Sequence, residues 1–163
     1  MAEVNSFENA ILGSKDEPGA DSRIDELPFP AWISDSKGER LFVNSALRRF
    51  IGCQEFEVNP NELADKIHPD DRAQWLNCLS EIILTGVDEA FTIDYRICHH
   101  SGCYRWVFDR IRRVAGPKGT ATRLQGFVVD IHERKEFELF LGKSREHYEN
   151  LYRGARVGLF CRS

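Results

Sequence analysis

Phe91-Thr92-Ile93-Asp94-Tyr95-Arg96-Ile97-Cys98, then His99-His100-Ser101-Gly102, then Cys103-Tyr104-Arg105-Trp106-Val107-Phe108-Asp109 is the stretch whose reading decides the fold. Phe91, Ile93, Tyr95 and Ile97 occupy every second position, the period of a half-buried strand. Tyr104, Trp106 and Phe108 alternate with Arg105, Val107 and Asp109, and the run continues through Ile111 and Val114 to Gly116-Pro117-Lys118-Gly119. Two such runs around a Gly-containing turn predict an antiparallel hairpin. Thr122 to Ile131 supplies a third strand, and at Asp130 the pattern changes to Glu-Arg-Lys-Glu and helical spacing. A sheet therefore hands the chain directly to a helix.

Working outward on the N-terminal side, Pro69 with Asp70 and Asp71 is a helix start, the two carboxylates lying against the positive end of the helix dipole. Trp75, Leu76, Leu79, Ile82 and Ile83 then form an apolar stripe, and Gly86 closes the helix. That stripe needs a surface, and the inner face of the sheet is available. Upstream, Ala31 to Ser34 and Arg40 to Asn44 read as a small hairpin turning at Asp35-Ser36-Lys37-Gly38. Ser45 starts a short helix with Leu47, Phe50 and Ile51, ended by Gly52, and irregular turns are expected from there to Ile67. Val4, Phe7 and Ile11 suit a short helix, and Gly13 to Ser22 reads as a flexible linker, so residues 1–26 are assigned as a tail. Beyond Asp130, Arg134, Phe137, Leu141, Ser144, Tyr148 and Leu151 make an imperfect heptad seam. Ala155 to Phe160 echoes the apolar opening at Pro30 to Ser34.

Composition limits the function classes. The chain has 163 residues, 42% hydrophobic and 29% charged, enough for one modest domain with a real core. A net charge of −4 gives no basic field for phosphates, which argues against a nucleic-acid partner. No secretory signal or run of about 20 apolar residues is visible, so the expected location is cytoplasmic with no membrane segment. Five cysteines without framework spacing suit reduced thiols.

The order of elements and several motifs resemble a PAS domain with its PAC segment. The matching motifs are Ile67-His68-Pro69-Asp70-Asp71-Arg72, Tyr95-Arg96-Ile97 with Gly102, Tyr104-Arg105-Trp106-Val107, and Gly126-Phe127-Val128-Val129-Asp130-Ile131 with Glu133-Arg134-Lys135. The resemblance implies an α+β PAS fold: a five-stranded antiparallel sheet in the order 2-1-5-4-3, helices over one face and a C-terminal exit helix. It divides the chain into a PAS/PAC sensor domain at 27–131, a helical signalling linker at 132–152 and the start of a second PAS domain at 153–163. The role it implies is sensory regulation of a multidomain bacterial signalling protein. A two-component histidine kinase comes first, and the sensor part of a diguanylate cyclase or a ligand-free dimerisation domain comes next. A homodimer, a small-molecule ligand and covalently linked downstream PAS and output domains are the implied partners. No catalytic residue is expected, since no nucleophile with a base is recognisable in this chain.

The aromatic set Trp32, Phe42, Trp75, Tyr95, Trp106 and Phe127 is the candidate lining of a ligand site, although aromatic residues equally fill ordinary cores. Tyr95, Asn77 and Arg110 are polar groups able to orient a ligand. Asp130, His132, Glu133 and Arg134 are the candidate signal-transmitting residues; His132 stands where the family's exit motif has a threonine, which puts the usual capping geometry in question. The cofactor is unknown. Cys53-Gln54-Glu55-Phe56 lacks the Asn-Cys-Arg-Phe core of flavin-reactive relatives, and Trp75, Asn77 and Cys78 occupy the helix where haem-binding relatives place a histidine. Both chemistries are disfavoured. Cys98 and Cys103, flanking His99-His100, could meet across the hairpin, but tetrahedral zinc needs four converging ligands, and an exposed hairpin tip with no metal is expected. Gly142-Lys143-Ser144 lacks the glycine five residues earlier that a phosphate loop needs, and His147 is followed by no phosphoacceptor box.

Overall fold

Alternation in Phe91–Cys98 and Tyr104–Val114 produces two long paired strands, and the rest of the sheet is assembled on them in a computed structural model. It describes residues 24–35, 37–39, 41–55, 57–85, 90–114 and 123–160, with side chains up to residue 150. The elements are β1 (Ala31–Ser34), β2 (Leu41–Val43), α1 (Ser45–Ile51), β3 (Glu57–Val58), α2 (Pro60–Lys66), α3 (Pro69–Thr85), β4 (Phe91–Cys98), β5 (Tyr104–Val114), β6 (Arg123–Asp130) and α4 (His132–Phe160). The sheet runs β3-β2-β1-β6-β5-β4, every pair antiparallel. This is the expected order of five strands, with a sixth, the two-residue β3, added at the edge beside β2. Expectations for residues 1–23, Gly86 and the loop at 116–119 lie outside the described residues.

The segment expected to be irregular turns holds β3 and α2 instead. Asn59 and Glu62 make a reciprocal capping box, the Asn59 side chain accepting from the Glu62 amide at 2.9 Å and the Glu62 carboxylate accepting from the Asn59 amide at 3.1 Å. Pro60 stands at the first helical position, where a missing N–H removes nothing. The same residues that read as turn-formers are thus helix-start residues.

Asn44 ties the N-terminal half together. Its buried side-chain oxygen accepts from the Ala31 amide at 3.0 Å and the Leu47 amide at 2.9 Å, and its Nδ2 donates to the Phe29 carbonyl at 2.8 Å. One side chain therefore caps α1, closes the β1–β2 hairpin and fixes the approach to β1. Asn44→Ala is expected to destabilise the domain by about 2–3 kcal/mol, because it leaves several buried backbone groups unsatisfied. A urea unfolding midpoint indistinguishable from the parent's would refute that role. Asp25, assigned to the tail from sequence, accepts from the Ser45 amide at 2.6 Å and pairs with Arg48, and Ile24 is buried. The domain thus includes residues ahead of Leu27.

At the other end of the inner face, α3 starts on Asp71. Its carboxylate accepts from the Arg96 amide at 2.9 Å and takes the Arg96 guanidinium in two further bonds at 2.9 and 2.8 Å. The His68 amide donates to the Arg96 carbonyl at 2.8 Å, so helix start and strand are locked side by side. Arg96 also lies over the Trp106 ring at 5.1 Å. Asp71→Asn weakens a partly buried, bidentate pair, and a loss of about 1 kcal/mol is expected by chemical denaturation, shrinking in high salt.

From Ile131 onward the chain forms a second unit, a 29-residue helix. Its helical backbone continues to Phe160, through the region read from sequence as a linker and an opening strand. A strand needs a neighbour to bond with, whereas a helix satisfies its backbone within itself.

Candidate functional site

The inner face of the sheet is set by the length of one loop. The β4–β5 connection spans His99 to Cys103, with Gly102 at a φ of 85°, so Cys98 faces Tyr104 and Tyr95 faces Val107. A four-residue turn would have put Trp106 opposite Tyr95. With five residues every side chain of β5 lies on the other face, because strand side chains alternate. Val107, Asp109 and Ile111 point inward beside Ile93, Tyr95 and Ile97, and all six are buried. Trp75, Leu79 and Ile82 of α3 complete this core.

One charged-type residue, Asp109, stands in the middle of that apolar surface and is fully buried. Its Oδ2 accepts from Trp32 Nε1 at 3.0 Å and from the Tyr95 hydroxyl at 3.2 Å. Its Oδ1 has no partner, and neither has the indole N–H of Trp75, which is buried close by with its ring centroid 6.3 Å from that of Tyr95. Burial pushes the Asp109 carboxyl up to about 7, against the opposing pull of the hydrogen bonds from Trp32 and Tyr95 and of the Trp75 N–H, which lies near the carboxyl without a formed bond to it. Burial likewise raises the Tyr95 hydroxyl, helped by the Asp109 charge, and raises the Cys78 thiol on α3. Trp32 reaches Asp109 because the residue opposite it on β6 is Gly126, and a Cβ there would overlap the indole.

The aromatic set singled out from sequence is therefore split. Trp32, Trp75 and Tyr95 come together around Asp109. Phe42, Trp106 and Phe127 lie half-buried on the opposite face, Trp106 beneath Arg96 and Phe127 against Phe29 at 5.7 Å. Asp109, Ser34, Asn44 and Gln125 are the buried polar residues that sequence reasoning did not single out for a site. Ser34 Oγ accepts from the Leu124 amide at 2.7 Å and so helps fasten β6 to β1.

At the hairpin tip, Cys98 and Cys103 do not pair across the strands: Cys98 is opposite Tyr104 and Cys103 is exposed, and both are free thiols. The His100 amide donates to the Phe50 carbonyl at 2.9 Å, and the His99 ring packs edge-on to Phe50 at 4.9 Å, so the tip leans on α1. Among the described residues no three His, Cys, Asp or Glu side chains are grouped to hold a metal ion. Cys53 sits at the core margin, bonded to Glu55 at 3.1 Å. An open groove of about 570 Å³ runs between the turn at Lys37–Glu39, α2 and the outer side of α3, with Leu76, Leu79 and Ile83 as its apolar part. Of the candidate transmitting residues, Asp130 lies 2.8 Å from Arg105 Nε as an ion pair, and on α4 His132 and Arg134 pair with Glu136 and Glu138 one turn on, Glu133 standing in the first turn.

The sequence profile of the PAS fold matches residues 40–128, just over half of the chain. The chain belongs to the PAS family. This PAS domain is similar to part of a blue-light-activated histidine kinase of Brucella anthropi, 30% identical over 108 residues, which cover 66% of this chain and 21% of that protein. The chain thus spans about a fifth of the length of that curated relative. Among solved structures it is similar to a sensory box histidine kinase/response regulator from Burkholderia thailandensis E264, with a TM-score of 0.60, 25% identity, and coverage of 74% of this chain and 90% of that one. The N-terminal domain of a diguanylate cyclase with PAS/PAC sensor from Marinobacter aquaeolei shares the fold at a TM-score of 0.53 and 21% identity, covering 65% and 97% of the two chains. The protein is a PAS sensor domain similar to those of histidine kinases. No helix among the described residues is long and apolar enough to cross a membrane.

What this PAS domain's inner face can do chemically follows from its donor inventory. The carboxyl of Asp109 meets neutral N–H and O–H donors and no guanidinium, ammonium or imidazolium among the groups that shift it. It is a buried acid held by neutral donors within close-packed aromatic rings, a group able to take up or release a proton.

Proposed function

We propose that the chain is the sensory module of a multidomain bacterial signal-transduction protein, a histidine kinase in the first place, acting as a cytoplasmic homodimer. A change at the inner face, around Trp32, Trp75 and Tyr95, is passed along β6 to Asp130 and on to His132, Glu133 and Arg134 of α4, with further PAS and output domains downstream of 153–163. The observation that carries this reading is the direct succession of β6 and α4, separated by Ile131 alone, with β6 bonded along its length to the strand that holds Asp109. Kinship with kinase sensor domains supports the choice of output.

A second reading, a ligand-free domain that sets dimer geometry, is favoured by the complete burial of Trp32 and Trp75 and near-complete burial of Tyr95, which occupy the space a ligand would need. Native against denaturing mass spectrometry of the fresh chain, with an absorption spectrum, separates the two. Mass lost on denaturation or a chromophore supports sensing of a bound molecule; a dimer of apo mass excludes such a molecule and leaves the second reading or a signal no larger than a proton.

The output is tested on the full-length protein. ATP-dependent autophosphorylation that changes at least several-fold in Asp130→Ala is expected, since the variant removes the ion pair to Arg105 at the strand end. Cyclic dinucleotide synthesis in place of phosphorylation would assign the cyclase output. Catalysis indifferent to Asp130→Ala would overturn transmission through this junction.

A further inference from the structure

We propose that the ligand of this sensor is the proton, and that Asp109 is a protonation switch whose change of charge makes or breaks a hydrogen bond to Trp75 on α3. The inference rests on the sensory-module reading and names the signal for it. The space argues for so small a ligand: Trp32 and Trp75 are fully buried and Tyr95 nearly so, packed around the carboxyl. Two polar atoms nonetheless stand unpartnered there, Asp109 Oδ1 and Trp75 Nε1. One is an acceptor when ionised and the other is only ever a donor.

The two states differ in what they ask of that pair. In the acid form, Oδ2 keeps the bonds from Trp32 and Tyr95, Oδ1 carries the proton, and that hydroxyl oxygen is a far weaker acceptor for the Trp75 N–H than the carboxylate would be. In the ionised form the proton has left for solvent, and Oδ1 becomes a bare anionic acceptor in the core. The anion then draws the Trp75 N–H on to it, because an uncompensated buried charge is far costlier than an unpaired neutral group. Trp75 belongs to α3, and Asp109 is paired with Val128 on β6 two residues before Asp130. The switch therefore spans the helix layer and the strand that leads to the exit helix.

Among the described residues, no other group facing Asp109 changes charge in the same range. β4 presents Ile93 and Tyr95, β6 presents Gly126 and Val128, β1 presents Trp32, and α3 presents Trp75 and Cys78. Of these Tyr95 and Cys78 titrate, and both are pushed upward, away from neutrality. The Asp109 carboxyl, at about 7, is placed to respond to small shifts of neutral pH.

The test is an NMR titration of the 163-residue chain, from about pH 5.5 to about pH 8.5, following the Asp109 carboxyl carbon, the tryptophan indole N–H groups and the amides of Val128 to Asp130. One titration is expected at the carboxyl carbon, with a midpoint within about one unit of 7. The Trp75 indole proton moves downfield along the same curve, and the β6 amides follow it. In Asp109→Asn these curves flatten. Should that variant not fold, Tyr95→Phe decides: it keeps the ring and removes one donor to the carboxylate, and the midpoint should rise by about half a unit or more. A carboxyl that stays in one state across the range, an unshifted midpoint in Tyr95→Phe, or a titration that leaves Trp75 and β6 unmoved overturns the proposal. These outcomes are read in the chain itself, whereas the sensory-module reading fails in the full-length protein, by indifference of its catalysis to Asp130→Ala.

Discussion

Gly126→Ala is expected to destabilise the domain by about 3 kcal/mol or more, and Gly126→Val to leave it without fixed tertiary packing. Gly126 lies opposite Trp32 in the antiparallel β1–β6 pair, and a Cβ built there overlaps the Trp32 indole. Neither side has room to yield. The indole is rigid and fully buried, and its Nε1 is tied to Asp109 at 3.0 Å. Displacing the ring breaks that bond and leaves both a buried donor and part of a buried carboxyl unsatisfied, which adds to the overpacking. Gly142 on α4 supplies the contrast: a Cβ added there meets nothing within 4 Å. In a helix interior Gly142→Ala should be neutral or stabilising by up to about 1 kcal/mol. Thermal melts by far- and near-UV circular dichroism distinguish the cases. A Gly126→Ala protein that melts with the parent would show that Trp32 is not held where the Asp109 bond needs it.

The sheet was legible because β4 alternates cleanly and β6 ends in an abrupt change of period at Asp130. Strand order came from the family resemblance and not from the period, which says nothing about neighbours. The faces of β5 were harder. Tyr104, Trp106 and Phe108 make a more apolar alternation than Val107, Asp109 and Ile111, so hydrophobicity alone assigns the inner face to the wrong set. The five-residue loop decides against it, and the only local sign of that loop is Gly102, whose positive φ suits a longer, bulged connection better than a four-residue turn. The loss of Asp109 from the candidate site has the same root. An aspartate inside an alternating strand reads as solvent-facing unless the register is known, and its partners Trp32, Tyr95 and Trp75 come from three other elements. At α2 the ambiguity is of another kind: Asn59 and Pro60 serve turns and helix starts alike, and the Glu62 that completes the capping box is the residue that separates them.

Stability of the chain is expected to fall as pH rises from about 4 to about 7, by on the order of 4 kcal/mol from Asp109 alone. The sign follows from which state holds the proton. In the unfolded chain the carboxyl titrates near 3.8, whereas in the fold it titrates at about 7. Between those values the folded state binds the extra proton, so its contribution is fully present below the lower value and is lost as pH climbs through the upper one. Asp71 acts in the opposite sense and in a different window: Arg96 holds its carboxyl below the usual range, so its contribution is present at neutral pH and lost on acidification below about 4. The two slopes therefore do not cancel. Urea unfolding at about pH 4.5, 6 and 8 should give a declining series for the parent. Asp109→Asn, of nearly the same shape and without a charge to bury, should give a flat one, overtaking the parent above neutrality. Parallel series for the two proteins would mean that Asp109 does not carry the slope. An apolar residue at this position would leave Trp32 and Tyr95 without their acceptor, so the carboxyl is built into the core as well as costly to it. A group held at that cost, one residue pair from the strand that enters the exit helix, makes the fold's own stability the quantity that responds to protons.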